Sequence, residues 1–86
     1  MPEISRFFGI IVRMFFDDHN PPHIHVEYQG RKAIFDFSGN IMYGNLGSRI
    51  ATKLVREWID IHESELQLDW ELAQTGRELN KIQPLE

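Results

Sequence analysis

"HIHVEYQGRKAIFDF", residues 23–37, decides the fold. Ile24, Val26 and Tyr28 alternate with His23, His25 and Glu27, which is the two-residue period of a strand whose faces differ. After Gln29 and Gly30 the alternation resumes, with Ala33, Phe35 and Phe37 on one side and Ile34 and Asp36 on the other. A two-residue gap with glycine supplying positive φ is a tight hairpin turn. The stretch therefore predicts an antiparallel hairpin, apolar on one face.

Working outward, "SGN" (residues 38–40) is a second turn and "IMYG" (residues 41–44) a short further strand. Upstream, "ISRFFGIIVRMFF" (residues 4–16) is rich in β-branched and aromatic residues. It predicts one strand of about eight residues within 7–16, with Gly9 as a bulge or bend. Val12, Met14 and Phe16 fall on one face, and Ile11, Arg13 and Phe15 on the other. Phe7, Phe8, Phe15 and Phe16 are expected in the core. "DDHNPP" (residues 17–22) breaks the pattern as a turn.

From Ser48 the period changes. Ile50, Ala51, Leu54, Val55, Trp58 and Ile61 recur at three- and four-residue steps, an amphipathic helix with Ser48 as its N-cap. A second helix is predicted from about Ser64 to Thr75, with Leu66, Trp70 and Ala73 as its stripe, Ser64 as N-cap and Gly76 just past its end. The two helices form either a tight hairpin or one kinked rod. Leu79, Ile82 and Leu85 of the tail are placed to dock on the core. The expected fold is α+β: one domain over residues 1–86, an antiparallel four-stranded β-meander followed by two helices packed on one face, ordered ββββαα.

Composition limits what such a domain can do. The 86 residues are 42% hydrophobic and 26% charged, and include no cysteine. Thiolate sites are thereby excluded, so any metal would need histidine and carboxylate ligands. No apolar run approaches the roughly 20 residues of a membrane span, and no signal peptide is evident. A cytoplasmic protein with no membrane role is the expectation. Net charge is −4, divided as +2 through Arg56 and −6 from Glu57 onward. That total argues against broad non-specific nucleic-acid binding, while leaving room for a local basic face.

Three of the four histidines, His19, His23 and His25, lie within seven residues of one another. His23 and His25, two apart on a strand, point the same way. With His19 folding back across Pro21 and Pro22, and Asp18 or Asp17 as carboxylate, they could hold a divalent transition metal such as zinc with a coordination position left open. The metal set so read is Asp18, His19, His23 and His25. Without metal, His23 and His25 could serve as general acid and base in RNA cleavage, with Arg13 or Arg31 on the phosphate. The cluster could also recognise a partner, or simply satisfy its own turn. His62 reads as an ordinary histidine at a helix end. Trp58 and Trp70 read as packing residues.

"DDHNPPHIHVEYQG", "EWIDIHESEL" and "DWELAQTGRELNKIQPLE" together resemble the bacterial domain of unknown function 4160 family. The His-Asn-Pro-Pro-His-x-His block joined to Trp70, Ala73 and Gly76 carries the resemblance. Genes of that family often lie beside a second small domain, in a layout similar to toxin–antitoxin modules. The resemblance thus implies a small partner protein encoded nearby and an RNA-directed role, as half of a two-gene pair. A homo-oligomer through an open sheet edge is a further expectation.

Overall fold

A computed structural model describes residues 2–86. Five strands precede two helices: β1 (Glu3–Phe7), β2 (Ile10–Arg13), β3 (His23–Tyr28), β4 (Arg31–Asp36), β5 (Ile41–Gly44), α1 (Arg49–Ile61) and α2 (Glu63–Gln74). The strands form one antiparallel sheet in sequence order, β1-β2-β3-β4-β5. The class is α+β, but the sheet has five strands where four were expected.

The extra strand comes from the N-terminal run. It is not one strand but a hairpin, folded at Phe8 and Gly9 with φ of 50° and 79°. Two successive positive φ values make the tight turn that matches strand twist. Gly9 accepts this conformation freely, whereas a bulky residue such as Phe8 rarely does. The turn also throws Phe8 into solvent, 61% exposed, instead of into the core. Phe7 is buried as expected, Phe15 is half-buried and Phe16 is exposed. The central hairpin folds as predicted, with Gln29 and Gly30 both at positive φ. Its register pairs His23 with Asp36, His25 with Ile34 and Glu27 with Lys32.

Both helices cover one face of the sheet. Ile10, Val12, Ile24, Val26, Ala33 and Phe35 meet Ala51, Val55, Trp58, Leu66 and Trp70 in a single core. Ser48 caps α1, its hydroxyl accepting the Ala51 N–H at 3.1 Å. Ser64 does not cap α2. The chain bends at His62, yet the His62 N–H still bonds the Trp58 carbonyl and the Leu66 N–H bonds the His62 carbonyl. The pair is a bent rod, with Ser64 inside its second half. At the far end of α2 the Gly76 and Arg77 N–H groups bond the carbonyls of Ala73 and Leu72, a Schellman closure that turns the chain back.

The tail then straps the molecule. Ile82 donates to the Ile4 carbonyl at 2.8 Å, on the edge of β1. The Trp58 indole donates to the Gln83 carbonyl at 2.9 Å. Asp69, fully buried on α2, accepts the Asn80 N–H at 2.9 Å through Oδ1, while Oδ2 has no partner.

Burial pushes the Asp69 carboxyl above its ordinary pKa; the Asn80 N–H opposes this in part, and nearby Glu65 adds to it. A raised pKa means that the protonated form suits the fold, so stability present at low pH is lost as pH rises through the folded value. Asp69→Asn keeps an acceptor for Asn80 and cannot ionise. The melting temperature of the variant relative to wild type should therefore rise between pH 4 and pH 7. A gap that stays constant across this range would mean that Asp69 carries no such penalty.

Candidate functional site

The loop between β2 and β3 owes its shape to the end of α2. Asp17, at φ 55°, donates its N–H to the Ala73 carbonyl at 3.1 Å. The Gln74 side-chain amide donates to the Asp18 carbonyl at 2.9 Å. The Asn20–Pro21 peptide is cis. The two bonds from α2 hold the loop so that the Asp18 side chain turns inward over the start of β3.

His23 is buried there, 4% exposed, with its ring 5.3 Å from that of Trp70. Its Nδ1 lies 2.7 Å from the Pro21 carbonyl oxygen. A carbonyl can only accept, so Nδ1 carries the hydrogen. Nε2 then faces Asp18 Oδ2 at 2.8 Å. His25 Nε2 approaches the same oxygen at 3.3 Å. One carboxylate oxygen thus receives two imidazole nitrogens. The other oxygen, Oδ1, accepts the His19 backbone N–H at 2.9 Å and lies 3.1 Å from His19 Nδ1.

Electrostatics follow from these contacts. Burial acts to raise the Asp18 pKa, but the His19 N–H, His25 and His23 together outweigh it and hold the carboxyl below its ordinary value. For His25, burial lowers the pKa; the Asp18 bond opposes this, and the neighbouring His23 reinforces it. His25 is therefore biased toward the neutral ring, the form that offers a lone pair to a proton or a metal.

The other expected site residues separate. The nitrogen or oxygen atoms of Asp18, His23 and His25 lie within 4.8 Å of one another. The His19 side chain is 91% exposed and sits on the outer oxygen, outside that trio. Arg13 pairs with His25 across β2 and β3, so it is close, but its guanidinium donates to Glu27 at 2.9 Å. Arg31 opens β4 at the far end of the hairpin, opposite Tyr28, and its side chain lies over Gly47. It shares the side of Ala33 and Phe35, the helix-covered face. Arg31 is thus not a cation beside the histidines. His62 stands apart, its Nδ1 2.6 Å from Glu65 and its ring against Trp58.

Four contributors carried little sequence signal. Phe15 sets its ring edge-on to His25 at 4.2 Å. Glu27 neutralises Arg13, the Pro21 carbonyl fixes the His23 tautomer, and Gln74 reaches the loop from a residue 56 positions away. Alternation did place Glu27 on the histidine face. The rest depend on the loop's path. Beside His25 the uncovered sheet face forms a groove lined by Arg13, Phe15, His25, Glu27, Lys32, Ile34 and Tyr43.

The model of the domain of unknown function DUF4160 matches residues 9–71. These are 63 of the 86 residues, and the chain belongs to this family. The match spans β2 to most of α2, including Asp18, His23, His25 and Trp70, and stops short of Ala73, Gln74 and the tail. Neither the curated proteins nor the solved structures contain a match to this chain. Among the described residues, no helix is long and apolar enough to cross a membrane.

Removing the carboxylate leaves His23 Nε2 buried without its partner. In metal-free buffer, Asp18→Ala should cost about 1–3 kcal/mol of stability by urea unfolding, the usual penalty for a stranded buried polar group. His25→Ala, at a half-exposed ring, should cost less. Equal stability of Asp18→Ala and wild type would show that the contact does not hold the loop.

Proposed function

We propose that this chain binds a divalent transition metal through Asp18 Oδ2, His23 Nε2 and His25 Nε2. The observation that carries the reading is the Pro21 carbonyl on His23 Nδ1. It commits that nitrogen to a hydrogen and leaves Nε2 aimed at a carboxylate oxygen 2.8 Å away. A neutral ring would set its lone pair against that of the carboxylate, so the contact calls for a cation: a proton or a metal. Histidine ligands to metals usually donate their second N–H to a carbonyl or carboxylate in this fashion.

The spacing suits a metal. Donor atoms about 2.1 Å from one zinc ion lie roughly 3.0–3.4 Å from each other. The two histidine–carboxylate separations, 2.8 and 3.3 Å, need only small adjustment. Three protein ligands leave a position open toward the half-exposed His25 side. An all nitrogen and oxygen set suits zinc, nickel, manganese or iron.

A second reading is metal-free RNA cleavage by His23 and His25, favoured by the bias of His25 toward its neutral, basic form. Its phosphate cation would be Lys32, on the same groove, or an Arg13 released from Glu27. Either chemistry fits one component of a two-gene, toxin–antitoxin-like pair with a small partner protein, in the cytoplasm of a bacterium.

Elemental analysis and calorimetric titration of tag-free protein test the first reading. Wild type should bind close to one equivalent of metal. Asp18→Asn should weaken binding at least about tenfold, and His23→Ala or His25→Ala more strongly. His19→Ala should change little. Substoichiometric metal and no thermal shift on adding any of the four ions would overturn it.

The second reading makes the opposite demand. RNA cleavage should persist in chelator and fall about 10²–10⁴-fold in His23→Ala and His25→Ala, the range of general acid–base contributions. Intact RNA with and without metal, together with harmless expression in cells, would dismiss the toxin role.

A further inference from the structure

The sheet face beside His25 is bare, and its chemistry is specific. Arg13, His25, Ile34 and Tyr43 form one cross-strand row over β2, β3, β4 and β5. At a strand spacing of about 4.8 Å, Tyr43 stands roughly 10 Å from His25. Tyr43 is 77% exposed and lines the groove from β5. Ile34 lies between His25 and Tyr43 on β4, and Lys32 is the next residue of that face along the strand, opposite Glu27. No carboxylate lies within 4 Å of its ammonium among the described residues, whereas Arg13 is paired with Glu27. The groove thus carries one cation in excess on a chain whose net charge is −4.

We infer that this groove binds single-stranded nucleic acid, with a base on the Tyr43 ring and a backbone phosphate on Lys32, leading the strand toward His25. An exposed ring next to an unpaired cation is the pairing that single strands use: stacking for the base, charge for the phosphate. A duplex keeps its bases stacked on one another and offers Tyr43 no free face. The charge distribution disfavours the α2 side. The chain from Glu57 onward, which includes α2, carries −6 and repels a polyanion. The α1 surface, with Arg49, Lys53 and Arg56 beside Glu57 and Asp60, also carries one cation in excess, but among the described residues no aromatic lines it. The inference deepens the reading of Asp18, His23 and His25 as a working site and rests on it only for the direction in which the strand runs.

Fluorescence anisotropy with a short labelled oligouridine, the matching oligodeoxythymidine and a duplex of equal length, in low salt with chelator, tests it. Wild type should bind the single strands and not the duplex. Tyr43→Ala should weaken binding about tenfold and Tyr43→Phe should not, since the loss is of stacking. Lys32→Glu should weaken binding and flatten the salt dependence by about 0.7 in log–log slope for the lost phosphate. Lys53→Glu on α1 should behave as wild type. Both groove positions are exposed, so circular dichroism of the variants should match wild type. Absence of single-strand binding, equal binding of duplex, or indifference to both groove substitutions would overturn the inference. Metal titration separates this failure from failure of the metal site. Tyr43→Ala and Lys32→Glu should keep wild-type metal affinity, and Asp18→Asn should keep oligonucleotide binding in chelator.

Discussion

The last turn of α2 holds the loop that makes the site. Three of its residues act together. Trp70 packs its ring against His23, the Ala73 carbonyl takes the Asp17 N–H, and Gln74 takes the Asp18 carbonyl. Without them, a loop with two consecutive aspartates would point its charges into water, the cheapest place for a carboxylate. With them, Asp18 is turned onto two imidazoles that supply what burial removes. The histidine block and the Trp-x-x-Ala block, far apart in the chain, are therefore two sides of one contact. Gly76 belongs to the same device, because the Schellman closure ends α2 directly after the residues that grip the loop.

That contact gives two neighbouring histidines different characters. His23 is dry, and bonded at both nitrogens. His25 is half-exposed, touches the carboxylate more loosely, and carries Phe15 on its ring edge. Strand geometry alone would make them equivalent, since they share a face and lie two residues apart. The difference comes from outside β3. The loop closes over the beginning of the strand and leaves its middle open, so a single oxygen bridges an interior group and a surface group. Such a bridge can bring a cation to the boundary of the core without burying it fully, which keeps the desolvation cost low.

Much of this was legible in the sequence. The hairpin of residues 23–37 follows from strict alternation and a Gln-Gly turn, and the helix from Ser48 follows from its period and cap. The Phe8–Gly9 turn was not legible. Eight of the ten residues from 7 to 16 are apolar, apart from Gly9 and Arg13, so alternation gave no sign of a fold-back, and Phe8 is a poor residue for positive φ. The site divides in the same way. Strand period put His23, His25 and Glu27 on one face of β3, and left Arg13 and Arg31 as alternatives for the cation. It could not choose between Asp17 and Asp18, because that choice lies in hydrogen bonds from α2. Nor could it exclude Arg31, whose distance from the histidines depends on hairpin register, or detect that Arg13 is held by Glu27.

The sheet's two edges complete the logic. At β1 the returning tail supplies an N–H to Ile4 and a lysine to the Glu3 carbonyl, so that edge is occupied by the chain itself. At β5 no such strap exists among the described residues. Ile41, Met42 and Tyr43 are exposed in succession, and none of the strand's residues is charged. The pairing of β4 with β5 shifts register between Ile34 and Phe35, and the strand is only four residues long. A short, irregular edge is a poor template for adding another strand, which is one way that natural sheets avoid edge-to-edge association. What β5 offers instead is its side chains. Tyr43 stands in the same row as His25 and extends the uncovered face by one strand. The fold thus shields one face and one edge, and leaves the exposed Tyr43 and the unpaired Lys32 on the face that His25 opens onto.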